Sequence, residues 1–144
     1  MLSLSKKVEY GLMALILIEA ASPDVVSSKE LAEKHELPVD LLGKVMQAMA
    51  KAGLIDSVHG ARGGYRAVRS LDRISLGEVI DAVDGPVRLV RCQHDQHDCV
   101  QFPSCRLKEP IQRLHDQLQQ FLYSVAVGEF RPNATPASAM ARSL

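Results

Sequence analysis

Residues 27–69 constrain this chain more than any other stretch, because two short helical segments lead through one glycine into a glycine-punctuated hairpin. Over 38–52, Leu41, Leu42, Val45, Met49 and Ala52 recur at three- and four-residue steps, which predicts a helix. Pro38 suits its first turn, and Gly53 accepts the left-handed conformation that closes it. Upstream, Ser27 and Glu30 form a capping-box pair ahead of a short helix whose apolar side is Leu31 and Ala32. Downstream, "LIDSV" (54–58) and "YRAVR" (65–69) read as strands around "HGARGG", whose glycines supply hairpin backbone angles. Two closely joined helices alone fit an ordinary helical hairpin as well as a helix-turn-helix. The following hairpin with a basic tip favours a winged helix. Between Val58 and Arg73 stand four arginines and one acid, Asp72, in a chain whose 17 basic and 17 acidic residues balance. That balance argues against an indiscriminate polyanion binder but leaves room for a local basic patch.

The flanks extend this pattern. A length of 144 residues allows one domain with a real core, and with no tryptophan and 4% aromatics the core must be aliphatic. Residues 4–21 place Leu4, Val8, Leu12, Leu15 and Ile16 on one helical face. The apolar run within them is too short to span a bilayer and fits a buried helix better than an export signal, so a cytoplasmic location is expected. A second capping box, Ser75 with Glu78, opens a helix over 75–85. From about Arg106 a long helix is expected to reach Val127 and stop at Gly128, with Ile111, Leu114, Leu118, Phe121 and Val125 as a heptad-like dimerisation seam. The expected fold is mainly α: a winged helix-turn-helix with a two-stranded wing and a long C-terminal dimerisation helix. Its parts would be a DNA-binding domain (1–85), a cysteine-rich loop (86–106), the dimerisation helix (107–128) and a mobile tail (129–144).

The loop holds every cysteine, Cys92, Cys99 and Cys105, with His94 and His97 between the first two. An odd number of thiols does not make a disulfide framework, and in a reducing compartment such a group points to metal or redox chemistry. Thiolates suit iron–sulfur clusters, and the "CxHxxHxC" donors also suit zinc, though without the tight paired-cysteine turns of most structural zinc sites. On the residues alone the two stand level. His115, on the long helix, reads as a surface residue. No catalytic constellation is visible: there is no phosphate-binding glycine loop followed by lysine, no assembled Ser-His-Asp set and no "CxxC". An enzyme or a cluster carrier without a DNA role is therefore the weaker reading.

In order, "LSLSKKVEYGLMAL", "LPVDLLGKVMQAMAKAGLIDSVHGARGGY", "ISLGEVIDAVDG" and the spaced cysteines before a long helix resemble the Rrf2 family of winged-helix transcriptional regulators, which includes IscR and NsrR. The opening "KVEYGLMAL" looks most like the branch that regulates SUF iron–sulfur assembly genes. The resemblance implies a homodimeric repressor that carries a cluster, two-iron in preference to four-iron, on Cys92, Cys99 and Cys105. Nitric-oxide or redox sensing on the same fold, or a zinc-binding regulator, are its alternatives. In one branch a histidine three residues after the last cysteine is the fourth ligand; here that place is Lys108, so the resemblance points instead to Glu9 of the other subunit, with His94 and His97 competing for the role. It also implies an approximately palindromic double-stranded DNA operator. The third helix would enter the major groove with Val39, Asp40, Leu41, Lys44 and Gln47, where Gln47 can pair with adenine and Lys44 with guanine or phosphate. Ser28 and Lys29 would meet phosphates, and Arg62 would enter the minor groove or grip its phosphates, beside His59, a weaker anchor than the arginine of some relatives. Arg66 and Arg69 are expected only to solvate the hairpin.

Overall fold

A computed structural model describes residues 2–93 and 99–134. Helix α1 spans Lys6–Ala21, and Ser5 rather than an earlier residue opens it, its hydroxyl accepting from the Val8 N–H at 3.3 Å. Leu4 therefore lies outside the helix and is exposed, whereas Val8, Leu12, Leu15 and Ile18 are buried. Helix α2 (Ser28–Lys34) begins on Ser27, whose side chain accepts from the Glu30 N–H at 3.1 Å. Helix α3 (Val39–Lys51) follows, with Pro38 at its N-cap and Gly53, at φ 77°, just beyond its end. Only glycine takes that left-handed turn cheaply. The turn sends the chain straight into the hairpin.

Strands β1 (Ile55–Val58) and β2 (Gly64–Ala67) pair antiparallel, with Asp56 opposite Arg66 and Val58 opposite Gly64. The second strand is shifted from the expected 65–69, because Arg69 turns away to meet Glu78 at 2.8 Å. Val26 adds a bridge to Tyr65 through two backbone hydrogen bonds of 3.0 and 2.7 Å. This fastens the segment before α2 to the hairpin. A Cβ on Gly64 would overlap the Val26 carbonyl, so that close approach requires glycine.

Helix α4 (Leu76–Val83) starts on the full reciprocal box: the Ser75 hydroxyl accepts from the Glu78 N–H at 3.1 Å, and the Glu78 carboxylate accepts from the Ser75 N–H at 2.8 Å. It packs against α1, α3 and the last helix, α5 (Lys108–Ser124). The core collects Leu15 and Ile18 from α1, Leu42, Val45, Met46 and Met49 from α3, and Val79 from α4. All are aliphatic or methionine, as the composition requires.

The C-terminal end differs most from expectation. Helix α5 stops at Ser124, before Gly128, because the chain turns extended and pairs with the segment leading into α4. Leu76 N–H donates to the Val125 carbonyl and Val127 N–H to the Ile74 carbonyl, each at 2.8 Å. Val127 is fully buried. Nor is the chain free from residue 129. Arg131 forks onto Glu19 with two hydrogen bonds of 2.7 Å and reaches Asp72 at 2.8 Å, joining the C-terminal segment to α1. That guanidinium holds the Glu19 and Asp72 carboxyls below the ordinary carboxylate range. The expected tail beyond 134 lies outside the described residues.

Candidate nucleic-acid interface and cysteine cavity

Helix α3 is divided by its own periodicity. Leu42, Val45, Met46 and Met49 fill one side of it. Asp40, Lys44, Gln47 and Lys51, at steps of four, three and four, stand exposed on the other. Val39 is also exposed, at the N-terminal end. Leu41 is not: it packs against the core, since its position falls at the edge of the buried stripe. Of the residues expected at base edges, Leu41 is therefore the one that the packing turns inward. Ser28 is half-buried near Gly43, and Lys29 is exposed and pairs loosely with Glu33 at 3.8 Å.

At the wing, His59 and Arg62 are exposed on the hairpin tip, and Arg62 has no ion pair among the described residues. Arg66 and Arg69, expected only to solvate the strands, are both engaged. Arg66 directs two nitrogens at the Asp56 carboxylate across the strand pair, at 3.0 and 2.8 Å. Arg69 secures the wing base to α4 through Glu78. Burial pushes the Glu78 carboxyl up, but hydrogen bonds from the Ser75 N–H, Arg69 and the Ser75 hydroxyl together hold it below the usual value. Among the described residues the unpaired cation at the wing tip is thus Arg62.

The three cysteines line one cavity of about 400 Å³. Its walls are the segment after α4, including Pro86, Val87 and Val90, the turn at Phe102, and one stripe of α5: Lys108, Ile111, Gln112 and His115. Those positions are spaced three, one and three apart, so a single helical face looks into the thiols. Ile111, expected in the dimer seam, belongs to this face. Lys108 lies over the Phe102 ring, 4.2 Å from its centroid, which occupies its ammonium as a cation–π partner. His94 and His97 lie outside the described residues.

His115 is not the surface residue expected. Its ring lines the cavity, and its Nδ1 is buried with no hydrogen-bond partner among the described residues. Its spacing of seven from Lys108 carries the signal that could have found it, since two full turns return to the same face. Glu9 sits on α1 and is engaged by Lys6 at 2.6 Å. Val125, beyond the end of α5, packs on the domain core and is no part of a helical seam. Leu114 and Phe121 are exposed, 55% each, on the outer face of α5, while Leu118 lines a groove with Leu4, Val8, Ile80 and Leu122.

A helix-turn-helix whose second helix exposes a polar face, followed by a hairpin with a basic tip, defines a winged-helix DNA-binding protein. The model of the Rrf2 family, described as iron-dependent transcriptional regulators, matches residues 4–131. The chain belongs to the Rrf2 family of transcriptional regulators, which are not enzymes. It is 30% identical over 123 residues to the regulator NsrR of Halalkalibacterium halodurans, covering 84% of this chain and 82% of that one. It is also 30% identical over 127 residues to IscR of Photobacterium profundum, covering 88% and 73%. Among solved structures, T. potens IscR superposes with a TM-score of 0.66 at 25% identity, covering 95% of this chain and 91% of that one. CymR, the global cysteine regulator of B. subtilis, gives 0.63 at 26%, covering 90% and 95%. Among the described residues no helix is long and apolar enough to cross a membrane.

Proposed function

We propose that this regulator binds an approximately palindromic operator as a cytoplasmic homodimer, and that occupation of the cysteine cavity by an iron–sulfur cluster governs that binding. The single observation that carries the reading is the gathering of Cys92, Cys99 and Cys105 on one cavity, beside the helix that supports the DNA-binding core. The donor set fits a cluster: three soft thiols line a recess walled by Val87, Phe102 and Ile111. The spacing of Cys92, Cys99 and Cys105 lacks the tight paired-cysteine turns of most structural zinc sites, which favours the cluster over a lone zinc ion. Two-iron is the preferred form. When bound, the cluster supplies a centre whose redox state and integrity respond to oxidants and iron supply.

The chain supplies the coupling. Pro86, Val87 and Val90 of the cavity wall follow directly on α4, and α4 packs on α3. A shift of the thiols can therefore reorient the face carrying Val39, Asp40, Lys44 and Gln47, with Ser28, Lys29, His59 and Arg62 gripping the flanking backbone. The exposed Leu114 and Phe121, one heptad apart, mark the face of α5 for a second copy. Such a dimer would set two α3 helices about 34 Å apart, one DNA turn. Repression of iron–sulfur assembly genes is the regulatory role that the "KVEYGLMAL" resemblance supports.

Anaerobic purification followed by iron and sulfide assays tests the cofactor, and operator titration of the holo, apo and Cys92→Ser forms tests the coupling. A colourless protein with stoichiometric zinc, or equal operator affinity for all three forms, would overturn the reading.

A further inference from the structure

Three thiolates leave one cluster position to another donor, and the resemblance assigned it to Glu9 of a second copy. We infer that His115 of the same chain fills it instead, through its imidazole. The inference deepens the iron–sulfur reading above and rests on it.

Three observations point to His115. It shares the cavity with Cys92, Cys99 and Cys105, on the α5 stripe that also presents Ile111 and Gln112. Its Nδ1 is withdrawn from water with no hydrogen-bond partner among the described residues, and buried polar atoms are seldom left so. A metal bond satisfies such a nitrogen, since neutral imidazole ligates through either ring nitrogen. Two other candidates, Lys108 and Glu9, are less suited. Lys108, two turns nearer the start of α5, lies against Phe102, and a protonated ammonium has no lone pair to give. The Glu9 carboxylate holds Lys6 at 2.6 Å on an exposed surface and does not line the cavity of its own chain. A histidine donor from α5 would anchor the cluster to the helix that also carries the proposed dimer face. Cluster loss would then release α5 directly, with no need for a ligand from across the dimer.

The test uses the full-length protein, purified anaerobically with ¹⁵N-histidine and reduced for pulsed electron paramagnetic resonance. Iron and sulfide content is measured first; wild-type protein that holds neither defeats the iron–sulfur reading itself, and this inference with it. With the cluster present, wild type is expected to show the strong coupling of a directly bound histidine nitrogen. The coupling should vanish in His115→Ala and persist in Glu9→Ala. His115→Cys should retain iron and sulfide at wild-type stoichiometry while losing the nitrogen signal, which keeps the test open if the alanine variant folds poorly. Wild-type protein with a full cluster and no bound nitrogen would refute the assignment. So would a nitrogen signal that survives in His115→Ala, which would move the ligand to another histidine such as His94 or His97.

Discussion

Truncating Val127 to alanine tests whether the end of α5 is sewn into the DNA-binding domain. Val127 lies beyond the helix, fully buried, with its N–H donating to the Ile74 carbonyl at 2.8 Å. The substitution deletes two methyl groups, about 1.6 kcal/mol of transfer free energy at ~0.8 kcal/mol each. The core around it, including Leu71 and Ile74, is itself fully buried and relaxes only in part. The residual cavity raises the cost to about 2–3 kcal/mol. For a chain of this size each kcal/mol lowers the melting temperature by ~2–4 °C, so a fall of about 4–12 °C is expected. Urea unfolding followed by far-ultraviolet circular dichroism, at one fixed protein concentration, should show a lower midpoint with an unchanged slope. Val68→Ala is the control: Val68 is 50% exposed on the wing side of the fold and should change stability by no more than ~0.5 kcal/mol. If Val127→Ala unfolded together with Val68→Ala, the docking of the C-terminal segment against the domain would be refuted.

Three further outcomes are expected. Lys44→Ala or Arg62→Ala should weaken operator binding and reduce the slope of log affinity against log salt by about 1 each, whereas Arg66→Ala, whose guanidinium is held by Asp56, should leave that slope unchanged. Glu19 is held below its ordinary value of 4.5 by Arg131, so its contribution is fully present above that value and is lost as the pH falls through the lower, folded-state value. Limited proteolysis should accordingly show the C-terminal segment released in acid, and Arg131→Gln should release it at neutral pH as well. The Tyr123 phenol, hydrogen-bonded to Asp81, is pushed up to about 12; in Asp81→Asn its phenolate absorbance should appear nearer the ordinary value of 10.

The elements that stand on local chemistry were legible in the sequence. The Ser27 and Ser75 caps, the Gly53 stop and the division of α3 into an apolar and a polar face depend on residues a few positions apart; each formed, although only the Ser75–Glu78 pair closes the reciprocal box, Ser27 accepting from Glu30 without a bond in return. The exposure of Lys44, Gln47 and Arg62 was readable for the same reason: helical period and hairpin position decide it. Three features were beyond that reach. Gly128 looked like a helix stop, but α5 ends earlier because Val125 and Val127 find backbone partners at Leu76 and Ile74, some fifty positions away in the chain. Arg131 looked like part of a loose tail, and its carboxylate partners Glu19 and Asp72 come from two distant segments. His115 looked like a surface residue of the long helix, yet its Nδ1 is buried, on the face of α5 that shares a cavity with the three cysteines. Periodicity and capping act over a turn or two of chain, so the sequence by itself determined which segments become helix, turn and wing. Whether a given face meets solvent, a thiol cavity or the end of its own chain depends on contacts that exist only once distant segments pack, and that was decided by the tertiary structure alone.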